Sequence, residues 1–462
     1  MALCVYHKTN FIMTEAFIRK LNDSKAVRWA VLIVVSFTMF FGYFISDVMN
    51  PLMELLQKEF NWSASEYGLF NMAYGWLNVF LLMLIIGGII LDKLGVRRTG
   101  IGACVLMIIG CGLEYYAVSR GFEGTIFGIR TQVMIACVGF AVFALGVEMA
   151  GITVTKVITR WFRGYEMALA MGVQVAIARL GTALALVTAT PLSKAFNSLS
   201  TPIFLGLAGL CIGLISYLVF CVMDRKLDAS IPEEENDEPF EVKDILFVVK
   251  NKGFWLIALL CVLFYSAVFP FLKYAPSLMT NKYNVSDTFA GFIPSLLPLG
   301  TILLTPLFGG IYDKKGKGVT IMIIGSAMLV GIHALFAAPI LDIWWFATIL
   351  TVLLGIAFSM VPSAMWPSVP KIIPHNKLGT AYALIFWVQN IGLSLVPFLI
   401  GKVLDKYCIV ESTGNVIRYD YTLPMIIFSA FGILAVFVAF MLKREDKVKR
   451  YGLERPNVLG DQ

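Results

Sequence analysis

The chain carries about twelve separate segments of roughly 20 apolar residues, and this repetition constrains its fold more than any other feature. Inside lipid every backbone amide needs an internal partner, so such a segment crosses a bilayer as an α-helix. A content of 58% hydrophobic and 15% charged residues excludes an ordinary soluble domain. The predicted spans lie near residues 28–52, 66–91, 99–118, 133–158, 166–190, 202–223, 253–279, 289–311, 319–340, 344–366, 378–401 and 424–442.

One long polar stretch divides these spans into six and six. It is "DRKLDASIPEEENDEPFEVKD", residues 224–244. The sequence therefore predicts an all-α membrane protein made of two pseudo-symmetric six-helix bundles. Its predicted parts are a cytoplasmic leader (1–27), an N-terminal bundle (28–223), a cytoplasmic acidic linker (224–252), a C-terminal bundle (253–442) and a basic cytoplasmic tail (443–462).

The basic residues predict the orientation. Of the Lys and Arg residues outside the spans, 26 fall on the side of the N-terminus and 8 on the other side. By the positive-inside rule both termini are predicted to be cytoplasmic. The net charge of +7 does not indicate nucleic-acid binding, because the basic residues lie in short loops rather than in one stripe.

The two halves carry a matching loop after their second span. "GIILDKLGVRR" begins at Gly88, and "GIYDKKGKG" follows Gly309. The equivalent residues, separated by 221 positions, are Gly88, Asp92, Lys93 and Gly95 in the first half and Gly309, Asp313, Lys314 and Gly316 in the second. Glycine permits a tight turn, and the aspartate can pair with nearby bases or a helix N-terminus. Two repeated halves are typical of transporters whose bundles rock about a central site.

The repeated G-x-x-x-D-K-x-G loop resembles the signature loop of the major facilitator superfamily. The resemblance implies the major facilitator fold and alternating access, and it assigns the eight loop residues to gating rather than to substrate selection. No cofactor is implied. The predicted partners are a small-molecule substrate and the lipid bilayer, and a possible accessory membrane subunit stays open.

Within that superfamily, several stretches resemble the lysosomal dipeptide transporter family. They include "YGWLNV" from Tyr74, "RWFRGYEMALAMGVQVAIARLG" ending at Gly181, "YSAVFPF" from Tyr265 and "MWPSVPKIIPHNKLGTAYALIFWVQNIGL" from Met365. The chain departs from that family at Leu77, where the family has proline, and at Lys273, where it has glycine. Phe140 stands where many superfamily members carry an arginine, which puts in doubt a proton-coupling scheme built on that arginine.

Three unusual charged residues lie within apolar spans of the first half. Glu148 in span four and Arg179 in span five each lie about fifteen residues into their span, which at 1.5 Å per residue is near the midplane. A charge there costs about 2.5–3.5 kcal/mol on a translocon scale, so both should face a partner or a wet cavity. Lys156 lies nearer a span end and is predicted to extend to the membrane surface.

Two interpretations of Glu148 and Arg179 stay open. A permanent ion pair could hold spans four and five together. Alternatively, as the resemblance implies, the two residues bind a dipeptide. Arg179 then holds its carboxylate through two parallel hydrogen bonds, and Glu148 accepts from its ammonium. The predicted remainder of the wall is Tyr74, Trp76, Asn78, Tyr265, Trp366, Gln389 and Asn390, with Tyr43 and Asp47 as weaker candidates.

The other function classes have less support. No nucleophile with its base and no cluster with metal-ligand spacing is visible, so an enzyme is not predicted. A receptor or scaffold would be expected to carry a folded domain outside the membrane, and the loops are short. Another solute, such as a sugar, an organic anion or a drug, stays open. A cell membrane is predicted in preference to a lysosome, because neither tail carries an acidic dileucine motif.

Overall fold

The computed structural model describes residues 21–162, 165–228, 242–374, 377–413 and 416–457. The predicted leader before residue 21, part of the predicted linker (229–241) and the last five residues lie outside the described residues. In the first half the helices are α1 (Lys25–Val48), α2 (Met53–Phe60), α3 (Ala64–Met72), α4 (Tyr74–Asn78), α5 (Met83–Ser119), α6 (Thr131–Trp161), α7 (Met167–Ala195) and α8 (Thr201–Asp228).

The second half begins with a short helix in the predicted linker. Its helices are α9 (Val242–Val249), α10 (Lys252–Tyr283), α11 (Asp287–Ala290), α12 (Phe292–Lys315), α13 (Gly318–Ala337), α14 (Trp344–Met365), α15 (Val369–Ile372), α16 (Leu378–Tyr407) and α17 (Thr422–Lys449). Single 3₁₀ turns are found at Leu21–Asp23, Asn50–Leu52 and Trp366–Ser368. Two antiparallel hairpins lie in loops, β1 (Thr125–Ile126) with β2 (Ile129–Arg130) and β3 (Ile409–Thr413) with β4 (Val416–Tyr419).

The second predicted span, near residues 66–91, is not one helix. α3 and α4 are short, and the chain leaves helical geometry before α5, where Leu82 has a φ of +54°. α5 then changes direction at Gly95, whose φ of +73° and ψ of 170° are not helical. The twelve predicted spans therefore appear, in the described residues, as eleven helices long and apolar enough to cross a membrane.

Small residues bring helices of the N-terminal bundle close together. On α6, Gly139 and Gly146 face α5, and a Cβ atom on Gly146 would lie only 2.7 Å from the carbonyl oxygen of Ala103. Inside lipid the hydrophobic effect does not drive helices together, so their association depends on close packing, which small residues permit. The tight pairing of α5 and α6 fixes the face of α6 that carries Glu148.

The two bundles meet at one end of the molecule. We call the end where the described chain begins and finishes the terminal face, and the other end the opposite face. At the opposite face Asp405, on α16, accepts hydrogen bonds from the backbone amides of Ala64 (3.0 Å) and Ser65 (2.6 Å), which begin α3. A carboxylate at a helix N-terminus compensates its free amides and positive end. One bundle thus caps a helix of the other.

Further polar contacts join the two bundles at the opposite face. Together with the cap that Asp405 provides, they form what we call the closed layer. The hydroxyl of Tyr67 donates to the carbonyl oxygen of Lys273 at 2.9 Å. Asn281 Nδ2 donates to Glu54 Oε1 at 2.7 Å. An ion pair of 3.2 Å joins Lys194 to Asp287. Each contact links a residue of the N-terminal bundle to a residue of the C-terminal bundle, so the opposite face is closed.

At the terminal face, ion pairs join residues of the same bundle. Arg97 lies 2.7 Å from Asp228 in the first half, and Lys252 lies 2.8 Å from Glu445 in the second. α17 continues to Lys449, beyond the predicted end of the last span near residue 442. The segment after it packs back, and the carbonyl oxygen of Glu454 accepts from the Lys317 amide at 2.9 Å. The described part of the predicted tail is therefore folded onto the second repeated loop.

Candidate functional site

A cavity of about 570 Å³ lies between the two bundles. Its wall, which defines the central cavity, comes from α1, α3, α4, α6 and α7 of the first bundle and from α10, α12, α14, α16 and the turn at Trp366 of the second. The wall reaches Met171 near the start of α7 and Pro306 near the end of α12, both on the terminal side. On the other side it ends at the closed layer. The central cavity thus extends towards the terminal face.

Glu148 and Arg179 both line the central cavity, and they do not form an ion pair with each other. Glu148 Oε1 accepts a hydrogen bond of 2.7 Å from the hydroxyl of Tyr74. This donor is neutral, so the carboxylate has no cationic partner within 4 Å in the described chain. The permanent ion pair between spans four and five, one of the two interpretations left open by the sequence, is absent from this conformation.

Arg179 is surrounded by aromatic rings instead of carboxylates. Its guanidinium carbon lies 5.9 Å from the ring centre of Tyr43, 5.4 Å from that of Phe269 and 5.6 Å from that of Phe358. Rings at this distance attract a cation through their negative faces, and each contributes about 0.5–2 kcal/mol depending on its exposure to water. Phe269 and Phe358 belong to the other bundle, so both halves surround the guanidinium.

Four other predicted residues line the central cavity, namely Tyr74, Tyr265, Trp366 and Gln389. Trp366 Nε1 donates to the Tyr265 hydroxyl at 3.1 Å. The amide oxygen of Gln389 accepts from the Cys261 thiol at 3.4 Å, so its position is also fixed by the protein. The weaker candidates Tyr43 and Asp47 line the cavity as well.

Three predicted residues lie outside the cavity wall, so their predicted place in the wall is corrected. Asn78 and Asn390 are buried, and each amide nitrogen donates to the carbonyl oxygen four residues earlier, of Tyr74 at 3.2 Å and of Phe386 at 3.0 Å. Trp76 is half-buried and packs against the hydrophobic core. Of the three predicted residues on α4, only Tyr74 lines the cavity.

An ion pair between Asp47 and Lys273 lies at the end of the cavity next to the closed layer, which we call the inner end. Lys273 Nζ lies 3.0 Å from Asp47 Oδ1, and it also donates to the carbonyl oxygen of Ser46 at 2.7 Å. Asp47 further accepts from Asn50 Nδ2 at 2.9 Å and from Thr182 Oγ1 at 2.8 Å. The sequence prediction missed this use of Lys273. A charge within an apolar span, the signal that identified Arg179, would have found it.

The repeated loops lie at the terminal face and are not symmetric in their contacts. Asp92 pairs with Lys156 at 2.6 Å, so Lys156 has a partner instead of extending alone to the membrane surface. Asp313 accepts instead from Asn457 Nδ2 at 2.7 Å. Gly95 and Gly316 both have positive φ, +73° and +68°. A residue with a side chain would be strained in this backbone conformation. Lys93 and Lys314 are exposed.

Gly88 and Gly309 need no close approach in this conformation. A Cβ atom added to either would meet nothing within 4 Å. The expected tight packing at these two loop positions is therefore not found. The described residues also contain no group of three or more His, Cys, Asp or Glu that could hold a metal ion.

Comparison with known proteins gives one family and several relatives. The Major Facilitator Superfamily model matches residues 33–397. The human lysosomal dipeptide transporter MFSD1 is 27% identical over 396 residues, which are 82% of this chain and 81% of that protein.

Two solved structures share the fold. A variant of the nucleoside transporter NupG has a TM-score of 0.70 at 14% identity, over 89% of this chain and 99% of that one. A bacterial homologue of the human lysosomal transporter Spinster, inward-facing and unoccupied, has a TM-score of 0.66 at 15% identity, over 91% of this chain and 98% of that one.

Proposed function

The chain belongs to the major facilitator superfamily, and from that premise we propose that it carries dipeptides or similar zwitterionic amino-acid derivatives across a membrane by alternating access. The predicted resemblance to the superfamily and the predicted fold are confirmed. The chain is a multi-pass membrane transporter. The substrate and the residues that bind it are the proposal.

The observation that carries the proposal is the guanidinium of Arg179, which faces the central cavity with no carboxylate of the described chain within 4 Å. A buried cation normally has an anionic partner, because desolvation without one is costly. Glu148 faces the same cavity with only the Tyr74 hydroxyl. A zwitterion supplies both missing charges at once, a carboxylate for Arg179 and an ammonium for Glu148.

The surroundings support a ligand with variable side chains. The rest of the wall is largely aromatic and aliphatic, including Phe140, Phe386 and Leu393. Such surfaces bind apolar side chains without strict geometry, whereas the two charges fix the ends of the molecule. The name of the human relative agrees with this substrate class. In this proposal Tyr74, Tyr265, Trp366 and Gln389 form the remaining contact surface.

A simple organic anion is the second candidate, because Arg179 alone could hold its carboxylate. That ligand would leave Glu148 without a partner. Transport of either candidate ligand involves no covalent step, so none of the cavity residues is assigned a catalytic role.

Uptake into liposomes separates the two candidates. Purified protein is reconstituted and offered labelled alanyl-alanine, alanine, propionate, glucose and uridine. The proposal predicts saturable uptake of alanyl-alanine and its loss in Arg179→Gln. Arg120→Gln is the matched control, since Arg120 is exposed beside Tyr116 on the opposite face. Saturable uptake of propionate, glucose or uridine without uptake of alanyl-alanine would refute the substrate class.

We further propose that the protein acts in a cell membrane. Neither tail contains an acidic dileucine sorting motif. The name of the human relative places that protein in lysosomes, so this part of the proposal departs from it. A fluorescent fusion in the native cell should label the cell surface, and co-localisation with an acidic compartment would contradict it.

A further inference from the structure

The ion pair between Asp47 and Lys273 joins the two bundles at the inner end of the central cavity. Asp47 belongs to α1 and Lys273 to α10, and both side chains line the cavity with 15% and 17% of their surface exposed. The Lys194–Asp287 ion pair also joins the bundles, but neither of its residues lines the cavity. A ligand in the cavity can therefore reach Lys273 but not Lys194.

The partners of this pair are distributed unequally between the bundles. Asp47 also accepts hydrogen bonds from Asn50 and Thr182, which are in its own bundle. Lys273 donates to Asp47 and to the carbonyl oxygen of Ser46, and both belong to the other bundle. If the bundles separate here, Asp47 keeps two donors, whereas the ammonium of Lys273 loses both acceptors. Lys273 is then a cation in need of an anion.

The pair lies one helical turn from Arg179. Three helices each contribute one residue to the Arg179 layer and one to the next layer, namely Tyr43 and Asp47 on α1, Phe269 and Lys273 on α10, and Arg179 and Thr182 on α7. All three helices run from the terminal to the opposite face, so the second layer is displaced in one direction by about 5.4 Å. A few covalent bonds cover that distance, as between the two carboxylates of a C-terminal glutamate.

We propose that Lys273 is a second carboxylate-binding residue of the cavity, which takes the acidic side chain of a dipeptide whose terminal carboxylate is held by Arg179. Asp47 occupies this position in the conformation closed at the opposite face, and the ligand carboxylate takes it when that face opens. The inference rests on the proposed dipeptide function. It adds a substrate preference, for a C-terminal acidic residue, which Arg179 and Glu148 alone do not create.

Two variants that break the same ion pair test the proposal, because only one of them keeps the cation. Asp47→Asn leaves Lys273 charged and free, whereas Lys273→Met removes the charge and preserves the length of the side chain. The ligands are alanyl-glutamate and alanyl-glutamine, which have the same shape and differ by one charge. The measured quantity is the ratio of their dissociation constants, Kd of alanyl-glutamine over Kd of alanyl-glutamate.

The proposal predicts that Asp47→Asn raises this ratio about tenfold over wild type, as one charge-assisted hydrogen bond would, and that Lys273→Met lowers it below wild type. Lys194→Met is the matched control. It removes a lysine from an ion pair between the bundles outside the cavity, and it should leave the ratio unchanged. Thermal unfolding verifies that each variant is folded, and Lys273→Gln replaces Lys273→Met if the latter is not.

Equal ratios in wild type, Asp47→Asn and Lys273→Met would show that the pair only ties the bundles together and would overturn the proposal. A shift in Lys194→Met as large as that in Lys273→Met would overturn it too, because the effect would then come from the conformational balance. Wild-type protein that binds neither dipeptide would refute the proposed function, and the inference with it. Binding of both dipeptides with an unchanged ratio would refute only the inference.

Discussion

At the scale of single residues, the environment of Arg179 differs from that of the two lysines that join the bundles, Lys273 and Lys194. Lys273 and Lys194 are bonded to carboxylates, whereas Arg179 is held by three ring faces. Rings stabilise the cation without occupying its five N–H donors. The guanidinium is thus kept in the cavity and left free to form two parallel hydrogen bonds.

This environment predicts a small effect on stability. Arg179→Gln should lower the free energy of unfolding by about 1.5 kcal/mol, since Arg179 is only half-buried and each of its three ring contacts then contributes about 0.5 kcal/mol. Removing one member of a true buried ion pair would cost about 3–5 kcal/mol. Thermal unfolding in detergent measures the difference, with Asp224→Asn as the positive control because the buried Asp224 pairs with Arg160 at 3.2 Å. A loss for Arg179→Gln as large as for that control would contradict the absence of an ionic partner.

Arg179 and Glu148 could be predicted because a charge inside an apolar segment is visible in one dimension. The rings around Arg179 could not, since Phe269 and Phe358 come from the other bundle and look like ordinary apolar residues in their own spans. Asn78 and Asn390 were predicted to line the cavity because they are polar. The structure shows that local bonds to the preceding helical turn satisfy their amide nitrogens.

At the scale of elements, the two repeated loops share a backbone turn but differ in what they hold. Gly95 and Gly316 both have a positive φ. Asp92, however, reaches Lys156 on α6, whereas Asp313 contacts Asn457 in the folded tail. The sequence repeat therefore predicted the turns at Gly95 and Gly316, and it could not predict partners that lie far away in the chain.

The Asp92–Lys156 contact predicts coupled effects on gating. Both side chains are half exposed, so the pair contributes less than about 1 kcal/mol and its loss should change turnover less than about fivefold. Asp92→Asn and Lys156→Met should slow transport to a similar extent, and the double variant should be no slower than either. Affinity for alanyl-alanine in a fixed conformation should stay at the wild-type value. Additive losses in the double variant, measured as liposome uptake rates, would show that the residues act separately.

The ends of elements were the least predictable part of the fold. The second span is predicted to be one helix. The break before α5 could not be predicted, because "LNVFLLML" contains neither a proline nor a polar run. The last span is predicted to end near residue 442, where charged residues begin, but α17 continues to Lys449. Lys443 donates to Thr320 Oγ1 of α13 at 2.8 Å and lies 3.9 Å from Glu454 in the folded segment after the helix.

At the scale of the whole molecule, the contacts explain how a cavity can open on one side at a time. The closed layer at the opposite face consists of polar contacts between bundles, including the cap that Asp405 provides to α3. Polar contacts can be exchanged for water at small net cost, unlike an apolar core. Rocking one bundle against the other would break this layer and close the terminal face, around a site whose Arg179 already contacts both halves.

The orientation of the whole molecule remains a prediction from its charges. With 26 basic residues on one side and 8 on the other, the terminal face should be cytoplasmic. Single cysteines at position 234, outside the described residues, and at Arg450 should react with an impermeant maleimide only after the membrane is opened. They are introduced into a variant whose native cysteines, including the exposed Cys211, have been replaced. Labelling of either position from outside intact cells would reverse the orientation.

Ligand-terminus preference tests the central claim most directly. Binding of alanyl-alanine, its C-terminal amide and its N-acetyl derivative is measured on folded wild-type, Arg179→Gln and Glu148→Gln protein. Wild type should prefer each free terminus by about tenfold or more, the value of one charge-assisted hydrogen bond. Arg179→Gln should lose only the preference for a free carboxylate, and Glu148→Gln only that for a free amine. If both folded variants keep both wild-type preferences, Arg179 and Glu148 do not bind the termini and the account is contradicted.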